Sequence, residues 1–572
     1  MKLPLSVLVV VHTAQSEVLL LERAARPGFW QSITGSLERP QEPYEAAAAR
    51  ELREETGIDA AAGRLRRWNV AYTFEIYAQW RHRFAPGVTH NTERLFSLEL
   101  AARAPVTLAP QEHTAFAWLP WREAARKCFS WSNRDAILMI GAALLAGGCA
   151  TGDGRLAPHL ESGSAEVREC AQWYRALDAE IDAAGVRDAQ HTRVPGFPHL
   201  RVDRLHAALR SRAAENEPAL RTFAERLAEL DLASRRYEVQ NLPALSDSAR
   251  VAALRRARDC GKLMRDADLA SPGARKALLG AAAVPDDYST VRRWEKRELN
   301  PPANRVRYAP PSALPIPRGV VAGLLARAQF DPLGHPALTE RELDRLAPAY
   351  APSFEVEVAG DQDRFGRLRW RRAAGVPDVD AAEPVVYVQA AYTRYGEHVL
   401  LQLVYTIWFA QPFDGVVWRV TLAPDGEPLV YDSIHPCGSF HVFFPTPRAR
   451  PRPSPERREV WGSVPHSLDR VGEGERPVVT IASGTHYVER VDLVRGPDSL
   501  VRYTLRSYDE LRSLPRAGGT HAGIFGPDGL FAGTKRAAPG ALRQWGRQAT
   551  DAAGRRHFDD ADLLERRFEV EL

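Results

Sequence analysis

GSLERPQEPYEAAAARELREETGI, residues Gly35 to Ile58, is the stretch whose reading decides the fold of this chain. Behind a glycine turn, Glu51, Glu54 and Glu55 fall at i, i+3 and i+4, so a helix here projects three carboxylates from one face. Their mutual repulsion is costly unless a cation sits among them. A hard divalent ion such as Mg²⁺ is the natural neutraliser, because it takes oxygen ligands and usually keeps room for water and phosphates. A helical charge run is often only a solvated face, here with Arg50 and Arg53 for company. Gly35 and Glu42, placed ahead of the run, tip the reading toward metal-dependent chemistry on a diphosphate.

With Arg50, Leu52, Gly57 and Ile58 in the intervening positions, the segment resembles the Nudix box: a glycine, a glutamate, then Arg-Glu-apolar-x-Glu-Glu-x-Gly-apolar. The stretch between Gly35 and Glu42 is one residue longer than the family pattern. The extra residue falls near Pro40 and Pro43 and is expected to lengthen the loop before the helix, leaving the register from Glu42 onward intact. The flanks are similar to bacterial Nudix hydrolases that act on dihydroneopterin triphosphate: FWQSITGS before the box, RHRFAPGVTHNTE at Arg81 to Glu93, QEHTAFAWL at Gln111 to Leu119, and FSWSNRDAI at Phe129 to Ile137. Several separated motifs in order make the match specific, and it covers about the first quarter of the chain.

That resemblance implies an α/β/α sandwich over residues 1–140, with Mg²⁺, or Mn²⁺ in its place, held by Glu51 and Glu55. Glu54 is supplementary, the Gly35 carbonyl joins the metal shell, and Glu42 forms a structural ion pair with Arg50. Glu112 resembles the extra acidic residue this group brings from outside the box. Either Glu51 or Glu112 serves as the base that activates water. The implied reaction cleaves a pterin triphosphate to the monophosphate and pyrophosphate; a broader nucleoside triphosphate pyrophosphatase is the alternative. Lys2 and Arg23 lie where the family offers cations to phosphates, and Thr34, Phe74, Glu75, Ile76, Tyr77 and Ser130 match its substrate wall. Aromatic faces stack a flat pterin, and the Glu75 carboxylate can accept from its N–H groups. Ile76 reads better as a core residue of its strand.

A chain of 572 residues is too long for one ordinary domain. Net charge is +4, with no block of like charge that marks a nucleic-acid partner. Five cysteines, Cys128, Cys149, Cys170, Cys260 and Cys437, form no CxxC pair and show no disulfide-like spacing, so they neither require oxidising conditions nor exclude them. The opening MKLPLSVLVVVHTAQSEVLLLER reads as two paired strands rather than a secretory signal, because Pro4 and the polar break at His12 to Glu17 interrupt it.

Residues 141–164 form an apolar and Gly-rich junction. The run AILMIGAALLAGG, Ala136 to Gly148, ends at Cys149, and Leu145 to Cys149 resembles a lipobox. The plainer reading is a last helix stopping at Gly147 and Gly148, since a folded domain upstream would obstruct export. Lipidation would bring membrane association only if Cys149 were processed. The first domain is expected in the cytoplasm; a separately translated remainder is expected in the envelope, as a lipoprotein-like binding protein. Residues 165–345 read as helical with a Pro-rich connector, and residues 346–572 as a mainly antiparallel β domain with no recognised activity. Within it, HPCGSFH places His435, Cys437 and His441 together, but the spacing fits no common zinc signature, and a packed turn is preferred to metal or thiol chemistry.

Overall fold

The computed structural model describes the chain outside residues 1, 14, 16, 77, 131, 135, 138–139, 141–155, 285–303, 312–317, 372–375, 411–412, 454–461, 496–500, 533–540 and 548–558. The lipobox-like junction at Cys149 therefore lies outside the described residues. Two compact units are divided at residues 151 and 152, and the second includes residues 296–572.

In the first unit, β1 (Leu5–Thr13) is apolar along almost its whole length because it is covered on both faces. Val7, Val9 and Val11 face one core with Ala47, Ala48 and Leu52; Leu8 and Val10 face another with Ala124, Ala125 and Ile137. β2 (Glu17–Arg23), β3 (Trp30–Gln31), β4 (Ile33–Ser36), β5 (Arg64–Glu75), β6 (His90–Leu100) and β7 (His113–Pro120) complete a seven-stranded sheet. Its main path is β3-β2-β1-β6-β5, with β4 paired to β1 and β7 to β2. The β1–β6 pair is parallel, with Ser6 opposite Glu93, and the other pairs are antiparallel. Helix α1 (Tyr44–Thr56) lies against one face and α2 (Trp121–Lys127) against the other, giving the sandwich the sequence implied. Gly57 ends α1 at φ 71°, a left-handed conformation that glycine adopts at no steric cost, and its N–H returns to the Arg53 carbonyl.

In the second unit, the helices and the β-rich part share one compact body. Helices Ala165–Ala184, Glu217–Asn241, Asp247–Ala270 and Pro272–Ala281 each start at a Ser or Asn whose side chain accepts from the first turn. Cys170 and Cys260 form a disulfide between the first and third of these, a pairing their 90-residue separation did not announce. The buried Arg201 guanidinium donates to Asp231 Oδ1 at 3.1 Å and Glu238 Oε2 at 2.7 Å, and Arg512 donates to Asp188 Oδ2 at 2.7 Å. The first two tie the strand Phe197–Val202 to the helix Glu217–Asn241, and the third joins residues 324 positions apart. These contacts are costly to break singly, since an unpaired buried charge would remain.

A six-stranded sheet runs Val442–Pro445, Pro428–Ile434, Asp414–Leu422, His398–Phe409, Val385–Tyr395 and Thr504–Ser507. Its last pair is parallel, as are two pairs in the neighbouring five-stranded sheet, and the other described pairs of these two sheets are antiparallel. The HPCGSFH segment forms a turn: the His435 N–H donates to the Ser439 carbonyl at 3.1 Å, and the His435 carbonyl accepts from the Gly438 N–H at 2.7 Å. Asp414 stands 3.0 Å from both His435 Nδ1 and His486 Nδ1. Burial opposes its charge, yet the two imidazoles hold it well below the usual carboxylate range. His441 meets Asp432 at 2.7 Å, while Cys437 packs in a cluster with Trp408, Phe525 and Phe531. No described helix is long and apolar enough to cross a membrane.

Candidate active site

The carboxylates converge through local geometry around β4 and α1. Gly35 on β4 sits opposite Val7, and the Glu51 side chain occupies the space above it: a Cβ on residue 35 would lie 1.7 Å from the Glu51 carboxyl carbon. Glycine there lets a carboxylate and a backbone share one place. Arg50 organises the surrounding acids, donating to Glu42 Oε1 at 3.2 Å, Glu51 Oε1 at 2.7 Å, Glu54 Oε2 at 3.1 Å and the Ser36 carbonyl at 3.0 Å. The Glu42–Arg50 pair is thus present, and the longer loop ahead of α1 leaves it in register.

The three box glutamates differ in surroundings. Glu54 has a 55% exposed side chain and, among the described residues, meets only Arg50. Glu55 is 2% exposed; its Oε1 accepts from Thr34 N at 3.4 Å, and its Oε2 lies 3.0 Å from His113 Nε2. Burial pushes Glu55 up to about 7 against the pull of His113, and Glu51 and Glu112 push the same way. Burial also raises Glu51; Arg50 opposes that shift and Glu54 and Glu112 add to it. Holding Glu55 ionised well above pH 7 therefore costs about 3 kcal/mol, from 1.36 kcal/mol per pKa unit.

Single ligand atoms of Glu55, Glu112 and His113 lie within 4.8 Å of one another. Glu112 is exposed, in the turn that leads into β7, and its carbonyl accepts from Ala24 N at 2.8 Å. Together with Glu51 these residues fit a divalent cation: the half-buried Glu51 and buried Glu55 carboxylates repel one another and Glu112, and Gly35 leaves a cradle that a larger residue would fill.

Among the expected substrate residues, Arg23 comes to this cluster. It ends β2, and although burial lowers its pKa, Glu55 and Glu112 are close enough to oppose that shift. Thr34 meets Glu55 through its backbone. Lys2 is exposed, with its N–H on the Arg83 carbonyl at 2.8 Å. Phe74 packs partly buried beside the second core, and Ile76 is buried as a core residue. The side chains of Glu75 and Tyr77 lie outside the described residues. Ser130 is tied instead to Ser132 at 2.9 Å, which donates to Glu93 Oε2 at 3.2 Å.

His113 and Glu93 had no assigned role in the sequence, although both lie in quoted motifs. Their partners are 58 and 39 residues away, and no local spacing reveals such contacts. Glu93 is buried on β6, and burial raises it to about 7 with only partial relief from Ser132. Because its folded pKa is raised, its contribution to stability is present below pH 4.5 and lost as pH rises through 7. Glu93→Gln should therefore protect β6 amides from hydrogen exchange at pH 8 relative to wild type, by up to about 3 kcal/mol, with little difference at pH 4.5. Equal protection at both pH values would show that this carboxyl titrates normally.

The NUDIX domain family model matches residues 2–139. Over 139 residues the chain is 45% identical to dihydroneopterin triphosphate diphosphatase of Escherichia coli K12, covering 24% of this chain and 91% of that protein. The Haemophilus influenzae enzyme of that name is 36% identical over 135 residues, covering 23% of this chain and 84% of its own. A solved structure of the E. coli dihydroneopterin triphosphate pyrophosphohydrolase shares 41% identity, with a TM-score of 0.24, over 25% of this chain and 97% of that one.

The chain belongs to the Nudix hydrolase family. Its first unit is a Nudix diphosphatase, of a family that generally uses divalent metal ions.

Proposed function

We propose that residues 1–140 hydrolyse dihydroneopterin triphosphate to its monophosphate and pyrophosphate with Mg²⁺, for which Mn²⁺ can substitute, in folate biosynthesis. The observation that carries this reading is Glu51 seated over Gly35, with Glu55, Glu112 and Arg23 close enough to interact by charge, in a domain 45% identical to the E. coli enzyme. Glu51, Glu55 and Glu112 would hold the ion, supplemented by Glu54 and the Gly35 carbonyl. Once bound, the ion neutralises charge developing on the phosphate oxygens.

The chain's own groups do the rest. Arg23 and Lys2 bind the triphosphate, guanidinium being suited to paired phosphate oxygens. Glu51 or Glu112 takes the proton of the attacking water, and the broken phosphoanhydride bond releases pyrophosphate. By the resemblance, Thr34, Phe74, Glu75, Tyr77 and Ser130 would contact the pterin, while Ile76 is buried in the core.

A substrate panel tests this reading: pyrophosphate release by the full chain with Mg²⁺, across the pterin triphosphate, GTP, ATP and CTP. A kcat/KM for the pterin at least tenfold above every nucleotide is expected. Equal values would favour the broader nucleoside triphosphate pyrophosphatase.

The Cys170–Cys260 disulfide favours a second role for the other unit, because disulfides persist where conditions are oxidising. In that reading, the Nudix unit works in the cytoplasm, and a separately translated second unit is an envelope lipoprotein-like binding protein anchored at Cys149. Fractionation with intact mass decides it: a lipidated product beginning at Cys149 supports this role, and only full-length soluble chain removes it.

A further inference from the structure

His113 opens β7 across from Arg23, immediately after Glu112, so one turn delivers both an acid and an imidazole to the box helix. Its Nε2 lies 3.0 Å from Glu55 Oε2, and each side chain is 2% exposed. Holding a cation requires the Glu55 carboxylate ionised, and an ionised carboxylate only accepts, so in that state the proton of this contact belongs to His113 Nε2. The other Glu55 oxygen accepts the Thr34 backbone N–H at 3.4 Å. Both oxygens are thereby fixed from the protein side, and their remaining lone pairs are left for a cation. His113 Nδ1 is buried and has no hydrogen-bond partner among the described residues, so Nε2 is the ring's one anchoring contact there.

We propose that His113 is a positioning residue, donating Nε2–H to Glu55 so that this carboxylate is aimed at the divalent ion, and is not itself a metal ligand. The proximity of Glu55, Glu112 and His113 also suits direct ligation, but a hard ion prefers oxygen, and Nε2 is already at hydrogen-bond distance from Glu55. Partners of this kind orient first ligands and raise affinity, and their loss typically costs about 10–100-fold in metal binding. The proposal rests on the reading of Glu51 and Glu55 as metal ligands.

The experiment titrates the full chain with Mn²⁺ alone, following free ion by electron paramagnetic resonance, in wild type, His113→Gln, His113→Met and Glu51→Gln/Glu55→Gln. Gln and Met have similar bulk, but only Gln offers an N–H. Binding by His113→Met should weaken about 10–100-fold, with His113→Gln within about threefold of wild type. The spin-echo modulation of Mn²⁺-loaded wild type should lack a coordinated imidazole nitrogen. Unchanged binding by His113→Met, loss of binding by His113→Gln equal to that by His113→Met, or a directly bound nitrogen would overturn the proposal. Should His113→Met fail to fold, the wild-type spin-echo spectrum and His113→Gln decide between positioning and ligation. If the double glutamate variant binds Mn²⁺ like wild type, the metal-site reading itself fails, an outcome distinct from failure at His113.

Discussion

Glu51→Gln and Glu55→Gln are each expected to lower kcat for pyrophosphate release by about 10²–10⁴-fold, the range for losing a group that acts directly on the reacting atoms. Glutamine keeps the size of each side chain and removes its charge. At Glu51 the loss also frees Arg50 from one of its acids; at Glu55 it removes a buried carboxylate that burial has pushed to about 7 and that only a cation fully relieves. Glu54→Gln supplies the contrast. Its side chain is 55% exposed and, among the described residues, meets only Arg50, so losing this supplementary group should cost no more than a surface ion pair, below about 1 kcal/mol. Initial rates with saturating Mg²⁺ and pterin triphosphate measure all three. A Glu54→Gln loss as deep as the other two would mean that all three box carboxylates act directly. A Glu55→Gln variant with wild-type kcat would remove Glu55 from the metal set.

The parts of the fold legible in sequence were those written in local periodicity. The apolar run at Leu5–Thr13 and the break before Glu17 give β1 and β2, and Gly57 marks the end of α1. The acids of the site were named from the box, and the structure seats the half-buried Glu51 over Gly35, with Glu55 buried and Glu112 close enough for each to feel the others' charge. What the sequence withheld depends on distant pairings. Glu55 and Glu54 are neighbours with the same side chain, yet one is buried against His113 and the other faces solvent, a difference set by β7 and not by α1. The helical and β-rich regions read as separate because their periodicities differ, but Arg512 and Asp188 join them across 324 residues.

Removing the disulfide by Cys170→Ala/Cys260→Ala should destabilise the second unit by about 2–5 kcal/mol. The bridge spans a 90-residue separation, and closing a loop of roughly 100 residues removes unfolded-chain entropy worth up to about 4.7 kcal/mol. Both cysteines lie in the buried cluster formed with Tyr174, Phe223 and Met264, so replacement by alanine leaves apolar packing in place and isolates most of the loss to the cross-link. Hydrogen exchange of Ala165–Ala184 and Asp247–Ala270 reads the change locally, with the amides of β1 and β6 in the first unit as an internal control. Wild type treated with dithiothreitol should match the double variant, and the first-unit amides should not respond. Equal protection in oxidised, reduced and variant protein would show that the helices need no bridge. A loss confined to these helices would instead make the second unit fully stable only under oxidising conditions, while the diphosphatase unit, whose described residues hold no disulfide, would work equally well under reducing ones.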